Sequence, residues 1–261
     1  MRQEQSQQIR PVESPGLPAK KPAGSLFLVG VPIGHPDDIT IRALGILSAV
    51  DVIATEDPLA TQILLRHHSL STVVTSYGPT RIKEKVAVLI DRLQQGASVA
   101  LVSDRGSPVI SDPGCLLVAA AHKHGIPVRS IPGPSAVTAA IAASGFSVEA
   151  FHFYGDIPNQ RTRQLRIILA HTEPTILFCP TNSCDAILQN IARIAPRRRV
   201  SLACDLTLQN ETLLRGTASH ISKLLKQIRT PQAVTIVLEG RTRVAAGKTG
   251  RRKHVSRSPL A

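Results

Sequence analysis

The chain has 261 residues, with 31 Lys and Arg against 18 Asp and Glu, and 43% of its residues are hydrophobic. That length buries one large core or two small ones, and the composition excludes a wholly disordered chain. Aromatic residues make up only 3%, with no Trp, which excludes a core or an RNA surface built on stacked rings.

Residues 1–24 are polar and Pro-rich without an apolar stretch, so they are expected to be disordered and not a secretory signal. The body then alternates strands and helices. Leu26 to Val31 is an unbroken apolar run, the pattern of a strand buried on both faces of a parallel sheet. Shorter runs follow at 52–54, 73–74, 99–102 and 128–131. Between them, residues 81–95 place Ile82, Val86, Leu89, Ile90 and Leu93 on one helical face, and Gly96 ends that helix. Ser111-Asp112-Pro113 carries the cap and early-proline signals of another helix, closed by Gly125. Residues 134–144 are rich in Ala and predict a closely packed helix. After Gly145 the pattern restarts, with strands expected at 151–154, 175–178, 200–203, 212–215 and 233–238, and helices at 160–170, 183–194 and 217–228. Strands outnumber helices here, so this second sheet is expected to be mixed.

The reading is therefore α/β: residues 25–145 and 146–240 form two α/β domains with a cleft between them, flanked by a disordered segment at 1–24 and a basic disordered tail at 241–261. The tail carries seven basic residues and no acid, whereas residues 25–240 carry 20 basic and 16 acidic ones. Such a tail attracts phosphate backbones without reading sequence. The four cysteines form no CxxC pair, so reduced thiols and no metal site are expected. No run approaches 18 uncharged apolar residues, so no membrane partner is expected.

Chemistry is expected at strand ends. Gly30 to Thr40 follows the first strand; its glycines are four apart with Pro32 between, which excludes the GxGxxG dinucleotide fingerprint. Ser103 to Pro108 and Ile131 to Ala136 are two further Pro/Gly loops with small residues, the latter opening a helix whose N-terminal N–H groups suit a polar group. Together they describe a pocket lined by backbone, fit for a bulky and mostly neutral ligand. Glu56-Asp57 follows the second strand, where the pair either reaches the cleft or favours a helix N-terminus, and Glu211 stands isolated on an expected strand. HExxH, GxSxG and Walker A patterns are all lacking, so zinc-dependent hydrolysis and esterase chemistry are not indicated. Arg161, Arg163 and Arg166, with the run Arg197 to Arg199, form a candidate anion surface.

The segments VGVPIGHPDDITIRAL, VIATED, LVSDRGSPVISDPG and IPGPSA resemble, in order and spacing, the ribosomal RNA small subunit methyltransferase I family within the tetrapyrrole methylase superfamily. The resemblance runs from about residue 25 to 240 and weakens after Gly145. It implies two α/β domains, usually in a homodimer, with S-adenosylmethionine folded into the cleft. It further implies 2′-O-methylation of a cytidine ribose in 16S rRNA of the small ribosomal subunit, in the cytoplasm. By position, it implies cofactor contacts from Pro32, Arg105, Gly106, Ser107, Ile110, Ser135 and Ala136, and, on the adenine side, from Cys179, Cys204 and Val234. Asp57 and Glu211 are the catalytic candidates, and Arg161, Arg163 and Arg166 the RNA contacts.

This chain also departs from the family pattern. His35 replaces an Asn, Pro58-Leu59 replaces a Thr-Arg pair, and Arg105 stands in a loop that usually reads SDAGTP. Cys179 to Cys184 replaces a Tyr-Glu-Ser stretch, and Cys204-Asp205-Leu206 replaces Arg-Glu-Leu. Two alternatives follow: a methyltransferase of the same fold acting on a small molecule such as a tetrapyrrole, and a catalytically impaired RNA-binding relative.

Overall fold

The structure is a computed structural model that describes residues 24–112, 114–157 and 162–241. The expected terminal segment at 1–23, the tail from 242, Pro113 and Arg161 therefore lie outside the described residues.

Two five-stranded sheets follow one another in the chain. The first contains β1 (Leu26–Val29), β2 (Val52–Thr55), β3 (Val74–Ser76), β4 (Val99–Leu101) and β5 (Val128–Ile131), in the order β3-β2-β4-β1-β5. All four pairings are parallel, as the two-sided apolar runs predict. Alternate residues serve opposite faces. Leu26, Val52, Ala54, Val99 and Leu101 pack beneath α3 (Ile82–Gln94) and α4 (Cys115–Lys123). Phe27, Val29, Ile53, Ala100 and Ile131 pack beneath α1 (Ile41–Ala49) and α2 (Pro58–His67). The expected helix start at Ser111 is displaced: α4 begins four residues later, at Cys115, and Ser111 has φ +58° in the turn before it. The Asp112 side chain instead accepts from the backbone N–H of Gly114.

The second sheet contains β6 (His152–Asp156), β7 (Thr175–Cys179), β8 (Arg199–Cys204), β9 (Thr212–Thr217) and β10 (Val234–Leu238). Its order is β6-β7-β10-β8-β9; β6 and β7 are parallel and the other pairs antiparallel, so the sheet is mixed, as expected. Val234, Ile236 and Leu238 point toward α6 (Thr162–Ile168), α7 (Cys184–Ile194) and α8 (Ala218–Leu225). Val237, Ile176 and Ala203 point the other way, onto α5 (Ala136–Ser144). The alanines of α5 explain that placement, because small side chains let its backbone lie close on the sheet. A helix that directly follows a first-sheet strand is thus packed on the second sheet, and it ties the two halves together.

Candidate cofactor cleft

Parallel pairing brings the carboxyl ends of β1, β2, β4 and β5 to a single edge, where open α/β sheets bind ligands. Because β1 lies between β4 and β5, the three Pro/Gly loops that follow them are neighbours. Val31 N–H donates to Gly106 O at 2.9 Å, and Gly106 N–H donates to Pro32 O at 3.3 Å. The third loop is tied in by the absence of side chains. A Cβ on Gly30 would lie 2.7 Å from the Gly133 nitrogen, and one on Gly133 would lie 2.7 Å from Gly30 O. Only two glycines permit that approach. Gly106 adopts φ +77°, a conformation that favours glycine and turns the second loop back on the first.

A cleft of about 370 Å³ opens beside these loops, bounded by both halves of the molecule. The first half contributes Ile33, Arg105, Gly106, Ser107 and Ile110. Ser135, Ala136 and Val137 contribute the start of α5, and Asp156, Phe178, Cys179, Pro180, Ala233, Val234 and Thr235 come from the second sheet. The volume is within the usual range for a small-molecule site, roughly 300–1,000 Å³. Ser135 is the N-cap residue of α5, but its hydroxyl makes no capping bond, which leaves it and the first N–H groups of the helix to face a ligand.

Eight of the ten residues expected to contact the cofactor line this cleft: Arg105, Gly106, Ser107, Ile110, Ser135, Ala136, Cys179 and Val234. The other two do not. Pro32 lines a neighbouring cavity of about 350 Å³ on the other side of Ile33 and Arg105, which border both spaces. Cys204 is buried beneath the helices of the second half, where its thiol is pushed up to about 12 by burial, then by Cys184 and Asp205. Val234 pairs with both Cys179 and Cys204, so all three side chains share one face of the sheet, and Cys179 and Val234 also border the cleft. Phe178 and Thr235, one residue along, take the opposite face and line the cleft as well. The Cys179 thiol is raised by its bond with Cys184 and by burial, so it stays protonated and apolar.

Neither catalytic candidate lines the cleft. Asp57 is the N-cap of α2, and one of its oxygens accepts from Leu59 N–H at 2.9 Å and Ala60 N–H at 3.0 Å. Its own N–H donates to Asp104. Glu211 accepts from Thr207 N–H at 2.6 Å, and the Thr207 hydroxyl accepts from His35 N–H at 2.8 Å. Glu211 thereby braces a turn that holds the first loop against the second half. The carboxylate that does face the cleft is Asp156, which the motif reading missed. Its signal in the sequence is the Gly155-Asp156 pair at the carboxyl end of a strand. Glu56, Asp104 and Asp112 form a further acidic group at the ends of β2 and β4. Glu56 and Asp112 are both raised above the usual carboxylate values, first by burial and then by neighbouring carboxylates. Two clusters of possible metal-ligating side chains, Asp37-His67-His68 and His152-His171-Glu173, lie outside the cleft.

Two five-stranded sheets joined through α5, with a largely backbone-lined cleft at one strand edge, accord with a methylase class: residues 25–222 match the model of the Tetrapyrrole (Corrin/Porphyrin) Methylases, and the chain belongs to that family. Within the family, its relatives include the ribosomal RNA small subunit methyltransferase I of Thermotoga maritima, 36% identical over 220 residues, which are 84% of this chain and 99% of that protein. The enzyme of the same name from Halalkalibacterium halodurans is 38% identical, over 83% of this chain and 76% of its own length. Among solved structures, the uroporphyrin-III C-methyltransferase of Thermus thermophilus, complexed with S-adenosyl homocysteine, superposes with a TM-score of 0.60. It is 17% identical, and the match covers 82% of this chain and 97% of that one, a likeness of fold.

Proposed function

We propose that this protein transfers a methyl group from S-adenosylmethionine to a ribose 2′-hydroxyl of a cytidine in 16S rRNA. The observation that carries the reading is the single cleft formed by the second and third Pro/Gly loops together with the second sheet. The likeness to two ribosomal RNA small subunit methyltransferases, over 84% and 83% of this chain, supports the substrate class over a tetrapyrrole.

The residues present fit the cofactor. Arg105 supplies a cation for its carboxylate, and Asp156 an anion for its ammonium. Ser107, Ser135 and Ala136 offer backbone N–H groups and hydroxyls, and Gly106 permits close approach without bulk. Phe178 and Thr235 close the second-sheet side. When bound, the cofactor supplies an activated methyl group on a sulfonium. The chain's task is then to hold an acceptor oxygen in line at about 3–3.5 Å and to exclude water. Asp57 and Glu211 act as positioning residues in this scheme, the first by capping α2 and the second by bracing Thr207 and the first loop. The neighbouring cavity, bordered by Pro32, Ser103, Asp104 and Gln232, adjoins the cleft across Ile33 and Arg105 and is the proposed route for the acceptor nucleotide.

The remaining parts of the reading are also proposals. Residues 25–145 and 146–240 are two domains, with α5 as the shared helix. Arg161, Arg163 and Arg166 contact RNA phosphates; the latter two are exposed on α6. The protein works as a homodimer, with exposed Leu59 and Ile63 one turn apart on α2 as candidates for burial between copies. It acts in the cytoplasm; among the described residues no helix is long and apolar enough to cross a membrane. The test is methyl transfer from labelled cofactor to small ribosomal subunits that lack the modification. Label in the RNA supports the reading. Cofactor binding without transfer to RNA overturns it in favour of an impaired RNA-binding relative, and label in a small molecule favours the tetrapyrrole-type reading.

A further inference from the structure

The second sheet has another end. Its strands run from the cleft, at Cys179, Cys204 and Val234, to Thr175, Arg199 and Leu238. Five strand residues separate the two, roughly 17 Å. There the loop after α7 meets the ends of α6 and β10 around an open groove of about 1260 Å³. Six arginines line it: Arg166, Arg193, Arg197, Arg198, Arg199 and Arg241. Glu239 is the single acid among the lining residues.

The distribution of charge singles this groove out. Residues 25–240 carry 20 basic and 16 acidic residues, and five basic ones and one acidic one line the groove, so the remainder divides equally, fifteen of each. The net positive charge of the folded body is thus gathered at one place. Glu239 is engaged first by Arg199 and also faces Arg215 and Arg198, so one acid is shared among several arginines. Arg198 is half-buried, and its guanidinium donates to the backbone carbonyls of Leu169 and Glu239, not to a carboxylate. Burial and the neighbouring Arg241 penalise its charge. A protein that holds an arginine there without an acid maintains a cationic floor that an external anion can complete. Arg166, Arg193, Arg197 and Arg241 are exposed and have no ion-pair partner among the described residues; Arg193 is steadied by Asn190. In sequence, six further basic residues follow Arg241, with no acid.

We infer that this groove is a docking site for the phosphate backbone of RNA, separate from the cleft and able to anchor a segment of the substrate away from the reacting nucleotide. The inference rests on the rRNA reading above. A polyanion with regularly spaced charges suits several exposed guanidiniums around a fixed one better than a single small anion does. Arg166 brings α6 to the edge of the groove.

The experiment is a salt series of equilibrium binding between the full-length protein and a 16S rRNA fragment. It compares the parent with the double variant Arg193→Ala/Arg197→Ala, which leaves Arg198 and Arg199 in place. The slope of log K against log salt should become shallower by about 2, one unit for each phosphate that is no longer neutralised. Affinity at low salt should fall at least several-fold, while cofactor affinity in calorimetry stays unchanged. An unchanged slope and affinity in the variant, with a parent that binds RNA, would overturn the groove and leave the rRNA reading intact. A parent that binds cofactor but no RNA would overturn the rRNA reading itself, and the groove with it. Should the variant instead lose an acidic protein partner while its RNA binding is unchanged, the assignment to RNA is wrong.

Discussion

The two ends of the second sheet are made from the same strands and have opposite surfaces. At the cleft end, backbone edges, small hydroxyls and the protonated thiol of Cys179 surround a space crossed by one cation, Arg105, and one anion, Asp156. At the groove end, six arginines surround an open space with one acid among them. The difference matches the two occupants proposed above. A nucleoside-like cofactor is recognised by shape and a few fixed donors, and fixed charges at high density would cost desolvation there. A polyanion is held by charge, and its release of counterions needs cations left accessible to water. A protein that modifies one nucleotide of a large RNA benefits from keeping these tasks about one strand length apart.

The largest effect expected on that division comes from filling the cleft. Ala136→Trp or Ser107→Trp should lower cofactor affinity by more than 100-fold in calorimetry, with far-ultraviolet circular dichroism unchanged and the salt slope of RNA binding retained. Retained cofactor binding would separate the cleft from the cofactor site. Next is the packing of loop against loop. Gly133→Val places a side chain against the Gly30 backbone and should cost about 1–3 kcal/mol of stability in urea denaturation, with cofactor affinity falling as the loops part. A third, smaller effect is expected at α2, where Asp57→Ala removes two capping bonds and should cost about 0.5–2 kcal/mol. Asp57→Asn preserves the cap and should preserve methyl transfer; a fall of about 10²-fold or more would make Asp57 a base and not a positioning residue.

The smallest effects are differences with pH, and they have opposite signs in the two regions. Near the cleft, Glu56 and Asp112 have folded-state values above their ordinary 4.5 and 3.8, so their ionised forms oppose folding at neutral pH. Their cost is fully present above the folded values and is relieved as pH falls through them. Glu56→Gln should therefore stabilise the protein at pH 7 and make little difference in acid. In the groove, Glu239 lies below its ordinary 4.5, first through its hydrogen bond from Arg199. Its contribution is present above about 4.5 and is lost as pH falls through the folded value, so Glu239→Gln should destabilise at pH 7 and make no difference in strong acid. Urea midpoints of parent and variants from pH 3 to pH 7 measure both, and equal signs would remove the electrostatic contrast.

Local signals served some elements well. The two-sided apolar run at β1 and the amphipathic face of α3 appear where the periodicity places them, because each pattern reports burial directly. The start of α4 lies four residues beyond the expected one, because the cap-like side chain of Asp112 closes a local turn with Gly114 and not the first turn of the helix. The loop motifs of the first half drew attention to residues that share one cleft in the structure, since Pro and Gly constrain backbone locally. Pro32 lines the adjoining cavity and Cys204 is buried beneath the second-half helices, positions that only the packing of the folded chain reveals. Asp156 carried too little local pattern to be noticed.

The order of strands and helices, the class of the fold, the family and the basic character of the chain are properties of composition, periodicity and contiguous motifs, and these survive without coordinates because each depends on neighbours within a few residues. Which face of a strand meets the cleft, which sheet receives α5, and the union of Arg166 with Arg193, Arg197 and Arg241 in one groove depend on contacts between residues tens of positions apart. Only the packing of the folded chain brings those together, since register and crossover geometry, not local preference, decide them.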